Sequence, residues 1–296
     1  METVLSINNI SKRYGPIQAL KNVSFDVPQG CVFGILGPNG SGKTTLLGIL
    51  LDVLKADEGS YVWLGNDTVH DARKKIGSLL ETPNFYHYLS AMDNLKIAAA
   101  IKQQTNDDRL RVLEKVNLLE RKDSKFQTYS LGMKQRLAIA STLLGSPKVL
   151  VFDEPTNGLD PAGIAEIRDL IRQLNAEGHT IIMASHLLDE VEKVCTHVAI
   201  LKKGDLLLSG PVNEVLRSED QIEISAGNVQ QLLAVIQTMP SLVSAKQQLN
   251  TITLSCNDGI TPEHINRYCT DKGITLSHLL LKKKSLETKF MELTNN

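Results

Sequence analysis

The chain has 296 residues, 42% of them hydrophobic, and its 32 lysines and arginines against 33 aspartates and glutamates leave a net charge of -1. That is apolar material for one large domain and a small one, while a nearly neutral balance argues against a nucleic-acid partner, which normally meets a basic face. No run approaches the roughly 18 apolar residues that cross a bilayer and the N-terminus lacks a basic-then-apolar leader, so another chain must span any membrane at which this one works.

From the N-terminus, Val4-Leu5-Ser6-Ile7 and Val23-Ser24-Phe25-Asp26-Val27 alternate apolar with polar between turn signals at Gly15-Pro16 and Pro28-Gln29-Gly30. They predict antiparallel strands. The apolar segment Cys31 to Leu36 then leads into Gly37-Pro38-Asn39-Gly40-Ser41-Gly42-Lys43-Thr44, and a Leu-rich stretch runs from Thr45 to Leu51. Strand, G-x-x-x-x-G-K-[ST] loop and helix together make a phosphate site, in which glycines let backbone N–H groups turn inward and the helix presents its positive end. Lys43 is expected to reach the β- and γ-phosphates and Thr44 to hold Mg²⁺.

From Met92 to Leu119 the spacing becomes helical, with Leu110, Leu113, Val116 and Leu119 as an apolar stripe, which predicts a helical insertion between two halves of an α/β core. Continuous apolar runs at Val149 to Phe152, Thr180 to Met183 and Val198 to Leu201 read as buried parallel strands, alternating with helices over Ala162 to Asn175 and Leu187 to Val194. The first of these strands ends in Asp153-Glu154, at the sheet edge where the phosphate loop is expected. One carboxylate there can serve Mg²⁺, and the other can accept a proton from an attacking water, unless the pair merely opens a solvated loop.

A short helix from about Pro211 to Ser218 is expected to end the core. Beyond it, a strand at Gln221 to Ser225, a helix at Val229 to Met239, a hairpin around Asn250, a helix at Pro262 to Lys272 and a strand at Ile274 to Leu281 give the order β-α-β-β-α-β, a ferredoxin-like arrangement, with a last helix over Ser285 to Leu293. Lys282-Lys283-Lys284 reads as a solvated charge run. The cysteines, Cys31, Cys195, Cys256 and Cys269, show no C-x-x-C spacing and read as reduced buried thiols.

With Tyr129-Ser130-Leu131-Gly132-Met133-Lys134-Gln135-Arg136 upstream of Asp153-Glu154, then Asn157-Gly158-Leu159-Asp160 and Ser185-His186, the order of motifs resembles the nucleotide-binding subunit of ATP-binding cassette (ABC) transporters. The likeness covers roughly the first three quarters of the chain. The wording of the Tyr129 to Arg136 segment, with Glu81 to Tyr86, is similar to the bacitracin-export and lantibiotic-immunity branch.

The resemblance implies an α/β P-loop NTPase cassette over residues 1–218, with an antiparallel β subdomain and a helical insertion at about 85–145, and the element order read above adds a small α+β domain over 219–296. It implies that Tyr14 stacks on adenine, that Asn39, Gly40, Ser41, Gly42, Lys43, Thr44 and Thr45 hold the phosphates, and that Thr44 and Asp153 hold Mg²⁺. Glu154 would be the base and His186 the γ-phosphate contact that positions the water. Ser130 and Gly132 would bind the ATP held by a partner protomer, and Asp160 would join the two sites across the dimer. The local alternatives are a half-buried strand aromatic for Tyr14, helix N-caps for Ser130 and Asp160, and a structural histidine for His186. Three positions depart from the family. Glu81 stands for the usual glutamine, where it either coordinates the metal or turns to the permease, and Leu131 and Met133 replace the usual Gly and Gln.

The implied activity is ATP hydrolysis in a homodimer, or in a heterodimer with a related cassette, on the cytoplasmic face of a polytopic membrane permease. One alternative is a soluble ABC ATPase of translation or DNA repair, although this chain has a single cassette, no heptad run and no Cys pair. A kinase or nucleotide switch would leave Ser130, Gly132 and His186 unexplained, and no guanine-reading Asn-Lys-x-Asp segment is present.

Overall fold

The computed structural model describes residues 2–65, 72, 74–80, 84–104, 108–217, 221–257, 259–282, 286 and 290. The chain divides into two compact units, Met1–Pro211 and Val212–Asn296. The break precedes the Val212–Arg217 helix rather than following Ser218 as the sequence suggests. Pro211 is the last residue of its strand, and a residue without an N–H cannot extend a ladder.

In chain order the strands of the first unit are β1 (Thr3–Tyr14), β2 (Ile17–Pro28), β3 (Val32–Leu36), β4 (Glu58–Trp63), β5 (Ile76–Leu79), β6 (Val149–Asp153), β7 (Thr180–Ser185), β8 (His197–Lys202) and β9 (Asp205–Pro211). The predicted N-terminal strands form an antiparallel sheet of order β2-β1-β4. A six-stranded sheet has the order β5-β6-β7-β3-β8-β9, parallel throughout except that β9 runs against β8. Every residue of β3, β6 and β7 is buried, which is why these strands read as unbroken apolar runs. Each fully buried Val, Leu or Ile stabilises the fold by about 1.5–3 kcal/mol relative to leaving it in water.

Register aligns the ends of these strands. Leu36 of β3 lies opposite Ser185 of β7, and Ala184 of β7 lies opposite Asp153 of β6. The residues that follow each strand therefore emerge side by side at one edge of the sheet. Among them are the loop from Gly37, Glu154, and His186.

The helical insertion contains Ala91–Ile101, Arg109–Lys115 and Leu131–Leu143. Its expected apolar stripe is only half right. Leu113 and Val116 are buried, but Leu110 is 53% exposed and Leu119 37%, and Val112 and Leu118 are buried in their place. The helix ends at Lys115, and Asn117 turns the chain at φ +55°, so helical spacing does not carry through to Leu119. No helix among the described residues is long and apolar enough to cross a membrane.

The second unit contains β10 (Gln221–Ala226), the Val229–Ile236 helix, β11 (Leu242–Gln248), β12 (Thr251–Cys256), the Pro262–Asp271 helix and β13 (Leu276–Lys282). All neighbours pair antiparallel in the order β11-β12-β10-β13. Ile222, Ile224, Ile252 and Leu254 alternate with polar neighbours and form one core with Leu232, Ile236, Ile265 and Cys269 from the helices. The β11–β12 hairpin turns at Leu249 and Asn250, between the paired Gln248 and Thr251. Of the helix expected over Ser285 to Leu293, only Leu286 and Phe290 lie among the described residues, and Lys283 and Lys284 lie outside them. All four cysteines are free, three buried and Cys256 half-buried.

Candidate nucleotide site

The phosphate loop leaves β3 at Gly37 and feeds the helix Lys43–Leu50. Gly42, the residue before that helix, has φ +108°, and a Cβ there would lie 2.5 Å from Ala19 O, so the close approach of loop to β2 requires glycine. A cavity of about 500 Å³ opens over the loop. Tyr14, Asn39, Gly40, Ser41, Gly42, Lys43, Thr44, Thr45 and Glu154 all line it. Tyr14 is 45% exposed at the rim, with Lys12 Nζ 5.7 Å from its ring centre, so it is not packed away as a core aromatic.

Lys43 is buried and donates to Gly37 O at 2.8 Å and to Pro38 O at 3.4 Å, folding its amine back into the loop. The same amine lies 3.5 Å from Glu154 Oε1. The other carboxylate oxygen, Glu154 Oε2, lies 2.8 Å from His186 Nδ1. A ring nitrogen facing a carboxylate carries the proton, so Nδ1 donates and Nε2 is left for another partner. Glu154 itself has φ +48°, a left-handed conformation that costs an L-residue about 1–2 kcal/mol and sharply redirects the chain after β6.

The oxygen donors fit a hard divalent cation. Thr44 is exposed on the first turn of its helix, and Asp153 is buried at the end of β6. No group of three or more His, Cys, Asp or Glu that could hold a metal occurs among the described residues. Mg²⁺ takes few protein ligands and keeps phosphate and water in its shell. Ser41 Oγ is buried in the loop without a hydrogen-bond partner, a polar atom that a phosphate oxygen would satisfy.

Ser130, Gly132 and Asp160 do not line this cavity. Ser130 is the N-cap of the Leu131–Leu143 helix and accepts from Met133 N at 3.3 Å. Asp160 caps Pro161–Ala176 by accepting from Gly163 N at 3.1 Å. The two helix starts are neighbours, because a methyl group on Gly158 would sit 3.4 Å from Leu131 Cδ2. Among the described residues, nothing beyond its chain neighbours and its own helix backbone lies within 4 Å of where a Cβ on Gly132 would be. Glu81 lies outside the described residues, just beyond the end of β5.

The sequence pattern of the ABC transporter family matches residues 20–157. An uncharacterised ABC transporter ATP-binding protein of Bacillus subtilis, YdbJ, is 37% identical over 99% of this chain and 96% of its own length. The chain belongs to the ABC transporter ATP-binding family. The bacitracin-export resemblance also holds: the bacitracin transport ATP-binding protein BcrA of Enterococcus faecalis is 32% identical over 99% of the chain and 97% of its own. Among solved structures, a dimeric ATP-binding cassette in a post-hydrolysis state, bound to ADP and Pi, superposes with a TM-score of 0.62 at 27% identity, covering 70% of this chain and 98% of that one.

This ABC cassette also has features that the motif reading missed. Ile17, Gln18, Ala19 and Lys203 line the nucleotide cavity from β2 and from the β8–β9 turn. Ile17 is 67% exposed, an apolar signal at a hairpin tip that was visible in the sequence. In the insertion, a second cavity of about 370 Å³ is lined by Asn84, Phe85, Tyr86, Asn94, Ile97, Ala98 and Ile101. Buried Asn94 fixes its wall, accepting from Tyr86 N at 2.9 Å while donating to Tyr86 O at 3.1 Å and Ser90 O at 2.9 Å.

Proposed function

We propose that the chain hydrolyses ATP to drive a separate membrane permease, through a dimer that closes on nucleotide. The observation that carries this reading is that Lys43, at the start of the helix after the phosphate loop, and His186, after β7, both contact Glu154 at the end of β6. Lys43 is held by loop carbonyls and by Glu154. Phosphate oxygens are stronger acceptors than carbonyls, so a bound triphosphate would draw the amine away and leave Glu154 Oε1 free to take a proton from water. His186 would hold the other oxygen and fix the direction of that transfer. Thr44 and Asp153 would hold Mg²⁺, which when bound neutralises phosphate charge. Tyr14 offers a face for adenine.

Ser130 and Gly132, outside the cavity of their own chain, would complete the site of the facing protomer. The dimeric relative with ADP and Pi supports such a pairing. The groove beside Tyr86, with Tyr86 51% and Ile101 77% exposed, is an apolar seat for a short cytoplasmic helix of the permease. The test is phosphate release from purified protein with ATP, alone and with its permease in vesicles. Hydrolysis that Lys43→Ala does not reduce would overturn the site, and hydrolysis indifferent to the permease would overturn the coupling.

A further inference from the structure

Strands β8 and β9 are joined by Lys203 and Gly204, which lie between the paired Lys202 and Asp205 and have φ of +49° and +86°. Positive φ at both turn residues gives the tight hairpin that matches sheet twist, and its first position favours Asn, Asp or Gly. A lysine there is sterically strained, and strain retained beside a binding cavity is a reason to ask what the side chain does. The turn is tied to the phosphate loop, with Gly204 N donating to Ser41 O at 3.0 Å and Lys21 N donating to Gly204 O at 2.9 Å. A Cβ on Gly204 would lie 2.8 Å from Ala19 O, so of the pair only Lys203 can present a side chain.

Lys203 is exposed and lines the cavity together with Tyr14, the phosphate loop and Glu154. Two other cations nearby are engaged. Lys21 pairs with Asp205 at 2.5 Å, and Lys43 is bound to the loop and to Glu154. Among the described residues no hydrogen bond or ion pair holds the Lys203 amine. A free ammonium at the rim of a cavity floored by a phosphate loop attracts the anionic part of whatever enters. We propose that Lys203 is a nucleotide-binding residue whose amine pairs with a phosphate oxygen common to ADP and ATP. This rests on the nucleotide reading of the cavity.

The test is ADP affinity by titration calorimetry on the full chain, for wild type, Lys203→Ala, Lys203→Asn, Lys203→Arg and Lys43→Ala. Loss of one partly exposed charge pair should weaken ADP binding about fivefold at low salt in the Ala and Asn variants. Arg should stay within about twofold of wild type, and the gap should close at about 0.5 M salt, where the screening length is short. The Asn variant separates charge from backbone, since Asn suits the turn better than Lys; wild-type affinity in Lys203→Asn overturns the proposal. So does a Lys203→Arg variant as weak as Ala, or a loss that salt does not change. If Lys43→Ala abolishes binding and the Lys203 variants are all normal, only the role of Lys203 falls. If wild type binds no ADP, the cavity reading falls and Lys203 falls with it.

Discussion

At the sheet edge, Lys43 and His186 both contact Glu154, whereas at the helix starts Ser130 and Asp160 use their side chains to cap their own helices. Both regions carry motifs of the same family. The first is assembled by parallel register, which fixes the strand ends relative to one another whatever is bound. The second is held by single side-chain caps and faces nothing in its own cavity. One chain therefore carries an assembled contact at the sheet edge and, outside that cavity, a separate pair of capped helix starts, and on the proposed function the two regions should respond differently to substitution.

The largest effect is expected at the assembled half. Glu154→Gln keeps shape and removes the base, so phosphate release should fall by about 10²–10⁴-fold while ADP affinity stays within about twofold. Light scattering with ATP should show the variant as a lasting dimer. Parental turnover in Glu154→Gln would remove Glu154 from the role of base.

The next effect sharpens the contrast. Gly132→Asp adds a carboxylate in open space, without steric penalty inside its own chain, so it should leave ADP binding by the isolated protein unchanged. Facing another protomer's γ-phosphate, the same charge should lower hydrolysis by about tenfold or more. Normal hydrolysis would mean that the helix starts take no part, and the comparison between the halves would fail.

These two regions were not equally legible. The phosphate loop, Asp153-Glu154 and Ser185-His186 each announce a strand end, because fully buried strands are continuous apolar runs that stop abruptly at their polar residues. What the sequence left open was contact: nothing in it says that Lys43 and His186 meet on opposite oxygens of one carboxylate. Strands β4, β5 and β9 gave no signal. Ile76-Gly77-Ser78-Leu79 is four residues without a β-branched run, Glu58 to Trp63 is mostly exposed, and β9 is half-buried along its length with no clean alternation. Lys203 was missed because it reaches the cavity from a turn remote in sequence from any motif, and Ile17 because it reads as an ordinary strand residue although it stands three positions after Tyr14. For Ser130 and Asp160, the capping alternative that the sequence offered is present, and capping does not remove a second lone pair or a neighbouring N–H from use.

A third prediction concerns the groove in the helical region. Asn94 is buried and its side chain bonds backbone groups of Tyr86, Leu89 and Ser90, so Asn94→Ala should destabilise the protein by about 1–3 kcal/mol in urea unfolding by leaving Tyr86 N without an acceptor, while Tyr86 O keeps the bond from Leu89 N. Basal hydrolysis should change little, because no bond of this set reaches the sheet edge, while stimulation by the permease should fall. Equal loss of both activities would show that groove and strand edge are not separable.

The smallest effect bears on how the Ser130 helix is held at its far end. Lys102 Nζ donates to Ser141 O at 2.8 Å and Thr142 O at 3.1 Å, placing a cation on the last-turn carbonyls of that helix. Burial lowers its pKa from 10.5 to about 8, only partly offset by Asp108. Between those values the unfolded chain binds the proton more firmly than the folded one, so stability rises with pH across this window; below about pH 8 the full penalty of a buried charge is present. Lys102→Gln removes the titration. The stability of wild type relative to this variant should therefore increase from pH 7.5 to 10, by about 1–3 kcal/mol after allowance for solvent screening. A difference that is flat with pH would mean that the amine is solvated in the folded chain. The Ser130 helix would then be fixed by packing alone, and its tip would be no more loosely set than the strand ends it is contrasted with.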